Sequence, residues 1–238
     1  MLKSKIVTIF VGFLFCIFMV SCCHGHVPKR IKIGGEIVKS VHAKDAVVFI
    51  VVKTSREEDV EASVTGTGVT ITSSKRKDSS VILTAGHICW FAKDPSVVDS
   101  KVIVFNKAGD LHYAAITAIS KNFDLCTIEV SAPLPAATIA TKAPESGEKV
   151  YYSGYPTGYY LPNVLSHFDG YMAGVDAAGD HLYNVPATGG SSGSPVYNQR
   201  GEITGIISAV MIEFEEMTFA TGNANIIDFL SDVGYLQK

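Results

Sequence analysis

Gly189-Gly190-Ser191-Ser192-Gly193-Ser194-Pro195-Val196 is a Gly/Ser turn that holds one serine, Ser192, between flexible neighbours. A serine hydroxyl is a weak nucleophile unless a base takes its proton and donors receive the developing oxyanion. Such a turn can supply the donors: the backbone N–H groups of Gly190 and Ser192 can converge on one point, because glycine tolerates the φ/ψ combinations this needs. On its own a Gly/Ser run is more often a flexible loop. Its meaning therefore depends on what else the chain carries.

Two further signals precede it. Leu83-Thr84-Ala85-Gly86-His87 is an apolar strand that stops at small residues and delivers a histidine, and Asn122-Phe123-Asp124-Leu125-Cys126 leads an aspartate into another apolar strand. Each alone has an ordinary reading, a surface histidine or a turn aspartate. Base, orienting carboxylate and nucleophile, each at the end of a β element, carry weight together.

Around these signals the chain reads as many short strands. Alternating or β-branched runs occupy Ala46–Val52, Gly68–Thr72, Val81–Thr84, Lys101–Phe105, Ala114–Ser120, Leu125–Val130, Lys149–Gly154, Ser166–Ala173, His181–Asn184, Pro195–Tyr197, Ile203–Ala209 and Thr218–Thr221. Turn residues such as Ala108-Gly109-Asp110 and Ala178-Gly179-Asp180 punctuate them. Short strands at this spacing predict an all-β sandwich or pair of barrels. Ser131–Ser146, with Pro133, Pro135 and Pro144, reads as a linker between two β halves, and Asn225–Val233 has helical apolar spacing, with Asn223 or Asn225 as its cap. No repeat of fixed period is visible.

Composition bounds the class. The 238 residues are 47% hydrophobic and 18% charged with a formal net charge of −3, which describes a packed globule and no basic footprint for nucleic acid. The N-terminus reads as an export signal: Lys3 and Lys5 precede an apolar run from Ile6 to Val20, followed by Ser21-Cys22-Cys23. Met19-Val20-Ser21-Cys22 is similar to a lipobox, so the outcomes are lipidation at Cys22, simple cleavage, or an uncleaved anchor. A lipid or anchor would tether the protein to a membrane; simple cleavage would leave it secreted or periplasmic. Cys89 and Cys126 are the cysteines of the mature globule, as a disulfide or as two buried thiols. Cys22-Cys23-His24-Gly25-His26 holds soft ligands but falls at the processing point, and His42, His112, His167 and His181 have no ligand spacing, so no metal and no cofactor is expected.

TAGH, DLC and GSSGSP, in that order, resemble the three catalytic boxes of the trypsin-like (chymotrypsin-fold) serine peptidases. Gly66-Thr67-Gly68-Val69, Ser153-Gly154-Tyr155-Pro156 and Gly205-Ile206-Ile207-Ser208 extend the resemblance across roughly Glu36 to Leu230. It is nearest to bacterial trypsin-like and glutamyl-endopeptidase-like members, whose serine box also reads Ser-Gly-Ser-Pro. The resemblance implies two six-stranded antiparallel β-barrels with a C-terminal helix. It places the signal or anchor at 1–22, a linker at 23–35 and the peptidase domain at 36–238. Within that domain the first barrel covers about 36–132, the second about 147–222 and the helix about 225–233.

It also implies roles. Ser192 would attack the carbonyl, His87 would shuttle its proton, and Asp124 would hold the imidazole tautomer. The N–H groups of Gly190 and Ser192 would form the oxyanion hole, worth about 3–4 kcal/mol per donor. Ser208 would hydrogen-bond Asp124. Pro186, Ala187 and Thr188 would form the base of the primary substrate pocket, and Ile207, Ser208, Ala209, Val210, Phe219 and Thr221 its walls. The partner would be a protein or peptide substrate.

The chain departs from the family in two places. Ser191 stands where digestive trypsin-like enzymes carry the aspartate that pairs with a freshly cut N-terminal ammonium. The Lys29-Arg30-Ile31 stretch therefore predicts no zymogen switch of that kind. Ile207 stands where glutamyl endopeptidases carry a histidine, and no carboxylate sits at the pocket base, so the pocket reads as apolar and suited to small or medium uncharged side chains. Glu213, Glu215 and Glu216 read as a solvated acidic hairpin or as a contact for basic residues elsewhere in a substrate. Tyr151, Tyr152, Tyr155, Tyr159 and Tyr160 either line subsites or pack barrel surfaces. The competing readings are a catalytically silent binding module and an esterase using the same triad.

Overall fold

The computed structural model describes residues 30–33, 36–56, 61–73, 78–211 and 214–236. The N-terminal apolar run, Cys22 and the His24–His26 segment lie outside the described residues, as does Glu213.

The strands are β1 Arg30–Ile33, β2 Glu36–Lys39, β3 Val47–Arg56, β4 Glu61–Ile71, β5 Ser80–Ala85, β6 Val97–Phe105, β7 Leu111–Ser120, β8 Leu125–Val130, β9 Lys149–Gly154, β10 Ser166–Val175, β11 Asp180–Asn184, β12 Pro195–Tyr197, β13 Ile203–Met211 and β14 Phe214–Gly222. The helices are α1 Gly86–Trp90 and α2 Asn223–Asp232. Strands β3 to β8 close one antiparallel barrel in the order β3-β4-β5-β8-β7-β6, and β9 to β14 close a second in the order β10-β11-β14-β13-β12-β9. Numbered from its own first strand, each barrel has the same cyclic order, so the topology is duplicated where the sequence shows no repeat. The end of the expected linker, Arg30–Ile33, pairs with Glu36–Lys39 as a separate two-stranded sheet.

The continuous apolar runs follow from burial on both faces of a strand. On one face Val48, Ile50, Val52, Ile82, Val104, Ile128 and Val130 fill the first barrel. On the other, Val69, Ile71, Val81, Leu83 and Leu125 meet Tyr197, Ile203 and Ile206 of the second barrel and Ile226, Phe229 and Leu230 of α2. β5 is the clearest case, buried at every position, with Ile82 inside and Val81 and Leu83 toward the neighbouring barrel.

The proline-rich linker also takes part in the junction. Thr72 N and Ala137 N exchange bonds with Ala137 O and Thr70 O at 3.0 and 2.9 Å, while Ala140 N donates to Ile203 O at 2.7 Å and Ile203 N to Thr138 O at 2.8 Å. It thus runs extended between the barrels and is bonded to both.

α2 begins two residues before the expected start, and its cap is Gly222, with no side-chain capping bond. The two candidate caps are used elsewhere: Asn223 Nδ2 donates to Ala140 O at 2.8 Å and Asn225 Nδ2 to Ala178 O at 3.0 Å. Long-range demand for a buried donor outweighs local capping here.

The second barrel encloses a directed chain of polar groups. Thr204 Oγ1 donates to Val196 O at 3.2 Å and Tyr183 Oη to Thr204 Oγ1 at 3.1 Å. His181 Nδ1, 2.7 Å from Tyr183 Oη, must therefore carry the proton of that contact. His181 is 2% exposed, and burial holds its pKa below the ordinary 6.5, with the Asp176 charge opposing. The neutral form belongs to the folded state, so the unfolded chain binds more protons below the ordinary pKa. Stability is complete above that pKa and falls as pH drops through it. Unfolding free energy in urea should decrease from pH 8 to pH 5, and His181→Asn should flatten that slope; an equally steep slope in the variant would remove His181 as its source.

Candidate active site

Asp124 organises the site. Its φ is +47°, a left-handed conformation that aspartate tolerates better than most residues. It turns its backbone and side chain toward the start of α1. That helix has no side-chain cap of its own. Its first two N–H groups go instead to Asp124: Gly86 N to the backbone O at 2.8 Å and His87 N to Oδ1 at 2.7 Å. The helix-start donors that usually need a cap are thus satisfied from the neighbouring strand. Oδ2 then stands 2.8 Å from His87 Nδ1. Gly86 is required by this approach, because a Cβ there would lie 3.0 Å from Asp124 C, Asp124 Oδ1 and Leu125 N. Side-chain exposures of 34% for His87 and 24% for Asp124 leave the imidazole accessible while its partner is more covered.

Cys89 and Cys126 are joined in a disulfide across the same 37-residue separation, two positions beyond His87 and Asp124 respectively. Both cysteines are buried, so the covalent tie lies beneath the pair on the inside of the first barrel.

The serine turn is held from both barrels. Gly193 N donates to Ile207 O at 2.8 Å and Ile207 N to Ser194 O at 3.0 Å, which fixes the turn to β13. Thr67 of β4, fully buried, does more. Its N–H donates to Ser192 O at 2.9 Å, its hydroxyl donates to Gly190 O at 3.0 Å, and the same hydroxyl accepts from Tyr155 N at 3.0 Å. Gly190 and Gly193 have φ of +87° and +83°. A Cβ on Gly193 would lie 3.1 Å from Ala85 N and closer still to Thr67 O and Thr84 Oγ1, so the turn is packed against the strand end that delivers His87. Among the described residues, neither Gly190 N nor Ser192 N donates to a backbone carbonyl, and Ser192 is partly exposed.

The expected pocket residues divide. Ala187 and Ile207 are buried in the core of the second barrel, with Val210 packed against it. Pro186 and Ala209 are exposed, and Phe219 is half-buried. Ser208 sits at a register shift between Ile207 and Ala209 on β13, and its hydroxyl donates to Phe219 O at 3.3 Å rather than to Asp124. The bond that reaches across the barrels beside the aspartate comes from Thr221, whose Oγ1 donates to Phe123 O at 2.5 Å.

The tyrosines scatter. Tyr152 and Tyr155 are buried, Tyr151 stacks on Tyr197 with centroids 5.9 Å apart, Tyr160 stacks on Phe49 at 5.2 Å, and Tyr159 is exposed. Tyr151 and Tyr197 face a cleft of about 580 Å³ with His42, Lys44, His167 and Asp169, between the second barrel and the segment that leads into β3. Thr67 is a residue bonded to the serine turn that sequence reasoning did not identify; its Gly-x-Gly flanks were the available signal.

The comparisons with known proteins agree with this architecture. No curated protein matches the chain. Among solved structures it is similar to a serine endoprotease from Yersinia pestis, at 21% identity and a TM-score of 0.63, covering 81% of this chain and 64% of that one. It is also similar to the Rv3671c protease from M. tuberculosis. The active form gives 18% identity and a TM-score of 0.63 over 82% of this chain and 83% of that one. The inactive form gives 18% and 0.59 over 81% and 90%. The chain thus spans just under two thirds of the Yersinia chain. A family model described as "Trypsin-like peptidase domain" matches residues 66–206, more than half of the chain and the whole span from the Gly-x-Gly strand through the serine turn. By that match the chain belongs to the trypsin-like peptidase domain family.

Proposed function

We propose that the protein is a serine endopeptidase that hydrolyses peptide bonds through His87, Asp124 and Ser192. The observation that carries this reading is the doubly bonded Asp124–His87 pair, with one carboxylate oxygen on the backbone N–H and the other on Nδ1. That arrangement holds Nδ1 as the donor and leaves Nε2 as the free lone pair, the form a general base requires. In the proposed reaction Nε2 takes the Ser192 proton as Oγ attacks the carbonyl carbon. The tetrahedral oxyanion is received by Gly190 N–H and Ser192 N–H. The imidazolium then protonates the leaving amine, and water attacks the acyl-serine by the same route in reverse. No cofactor enters these steps.

The buried Ala187 and Ile207 and the absence of a carboxylate among Pro186–Thr188 support cleavage after small or medium uncharged side chains. We also propose that the enzyme is exported, tethered by a lipid at Cys22 or by an uncleaved anchor, or released by cleavage. The Cys89–Cys126 disulfide supports an oxidising environment.

The test is reaction of the full chain with a fluorophosphonate probe and mapping of the adduct by mass spectrometry. The adduct should form at Ser192 and at neither Ser191 nor Ser194, and the labelled enzyme should no longer cleave a denatured-proteome mixture. Folded protein that takes no label would overturn the reading in favour of a silent binding module. Labelling at Ser192 with ester but no peptide turnover would favour an esterase.

A further inference from the structure

The proposed mechanism makes no use of Tyr152, yet this residue reaches the segment leading into Ser192 from inside the second barrel. It is fully buried on β9, stacked on Phe168 with centroids 4.6 Å apart, and packed in the cluster that holds Ala187 and Ile207. Its Oη donates to Pro186 O at 2.6 Å. Ser191 is itself fully buried. Its Oγ accepts from Thr188 N at 3.3 Å, and its own N–H returns a bond to Thr188 O at 2.9 Å.

The protons can be assigned. A phenol has one, and it goes to Pro186 O. Ser191 Oγ is the acceptor for Thr188 N, so the serine and the threonine backbone close the segment on themselves. Burial pushes the Tyr152 phenol up to about 12, so it remains a donor at any pH near neutrality. The Tyr152 hydroxyl thus holds the start of the segment before the nucleophile, and the Thr188–Ser191 pair closes its end.

We propose that Tyr152 is a positioning residue for the oxyanion turn: by binding Pro186 O, next to the Thr188–Ser191 pair, it holds the Gly190 and Ser192 N–H groups convergent in the chain as made, with no cleavage step. The inference rests on the reading of Ser192 as nucleophile. A turn with glycines at 190 and 193 is costly to order, and a buried, fully bonded support lowers the population of collapsed alternatives. Ser191 fits this arrangement where an aspartate would not, because a carboxylate there has no buried cation to meet among the Tyr152, Thr188 and Pro186 groups.

Tyr152→Phe removes the hydroxyl and keeps the ring in the core; Ser191→Ala removes the acceptor of Thr188 N. Both full-length variants are to be compared with wild type by hydrogen exchange of the peptide covering residues 186–193, by the rate of fluorophosphonate labelling, and by kcat and KM on a cleaved peptide. Exchange in that peptide should rise about tenfold while β10 and β11 are unchanged. Labelling rate and kcat should fall about 10- to 100-fold with KM within twofold, less than the 10²–10³ of losing an oxyanion donor outright, because Thr67 still holds Gly190 O. Unchanged exchange in both variants overturns the tie. Faster exchange with undiminished labelling overturns its positioning role. If wild type takes no label, the catalytic reading fails by itself, and the exchange data alone decide whether Tyr152 orders the turn.

Discussion

Asp124→Asn is expected to lower kcat by about 10⁴ while the protein stays folded. The reason lies in the two bonds its carboxylate makes. Oδ1 accepts from the His87 backbone N–H and Oδ2 from Nδ1. An asparagine can keep only one oxygen. If that oxygen stays on the backbone N–H, which the helix start requires, the amide NH₂ faces Nδ1, and the imidazole must present Nδ1 as an acceptor. The proton then moves to Nε2, and the group that should take the Ser192 proton already carries one. Ser192→Ala and His87→Ala should each cost about 10⁶ in kcat, and the double variant no more, because the two act as one unit. The checks are kcat on a cleaved peptide and a near-UV circular dichroism spectrum unchanged from wild type. An Asp124→Asn enzyme within tenfold of wild type would remove Asp124 from the mechanism.

The parts of this molecule legible in sequence are those governed by local pattern. Period-two alternation and β-branched runs located the twelve barrel strands, because strand burial leaves a direct trace in residue order. The His87, Asp124 and Ser192 boxes were visible because each needs small residues beside it, and those needs are local: Gly86 for the approach of Asp124, Gly190 and Gly193 for left-handed turns. What was not legible depends on partners far along the chain. Thr67 bonds Gly190 across 123 residues and Tyr155 across 88. Asn223 looked like a helix cap but serves Ala140, 83 residues away. Ser208 is displaced by a bulge that no residue type announces. The duplicated strand order is similarly hidden, since the two barrels share connectivity without sharing side chains.

In the proposed mechanism the two barrels act as one site, and Thr67 is what would orient them. His87 and Asp124 come from the first barrel and Ser192 from the second, and most of the contact between them is apolar packing, which fixes distance but not angle. Thr67 supplies the angle, with directional bonds to Ser192 O, Gly190 O and Tyr155 N. Thr84 Oγ1 in turn donates to Thr67 O at 2.7 Å, so the strand that leads into the His87 helix holds the residue that holds the turn.

Gly193→Ala should break this junction and destabilise the protein by about 4 kcal/mol, at the exceptional end for a single substitution. Two costs add. At φ +83° an alanine carries the left-handed penalty of about 1–2 kcal/mol. The new methyl also falls on Thr67 O and Thr84 Oγ1, backbone and buried side chain that are bonded to each other and cannot yield separately. To admit it, the turn must draw away from β4 and β5, which lengthens Thr67 N to Ser192 O and moves Ser192 from His87. Gly147 is the matched control: its φ is also +83°, but a Cβ there meets nothing within 4 Å. Gly147→Ala should therefore pay the left-handed cost alone, about 1 kcal/mol, and keep full activity. Urea unfolding of the two variants separates the conformational cost from the packing cost. Equal midpoints would mean that the serine turn is not packed against the His87 strand, and the inter-barrel site proposed for this enzyme would lose its structural basis.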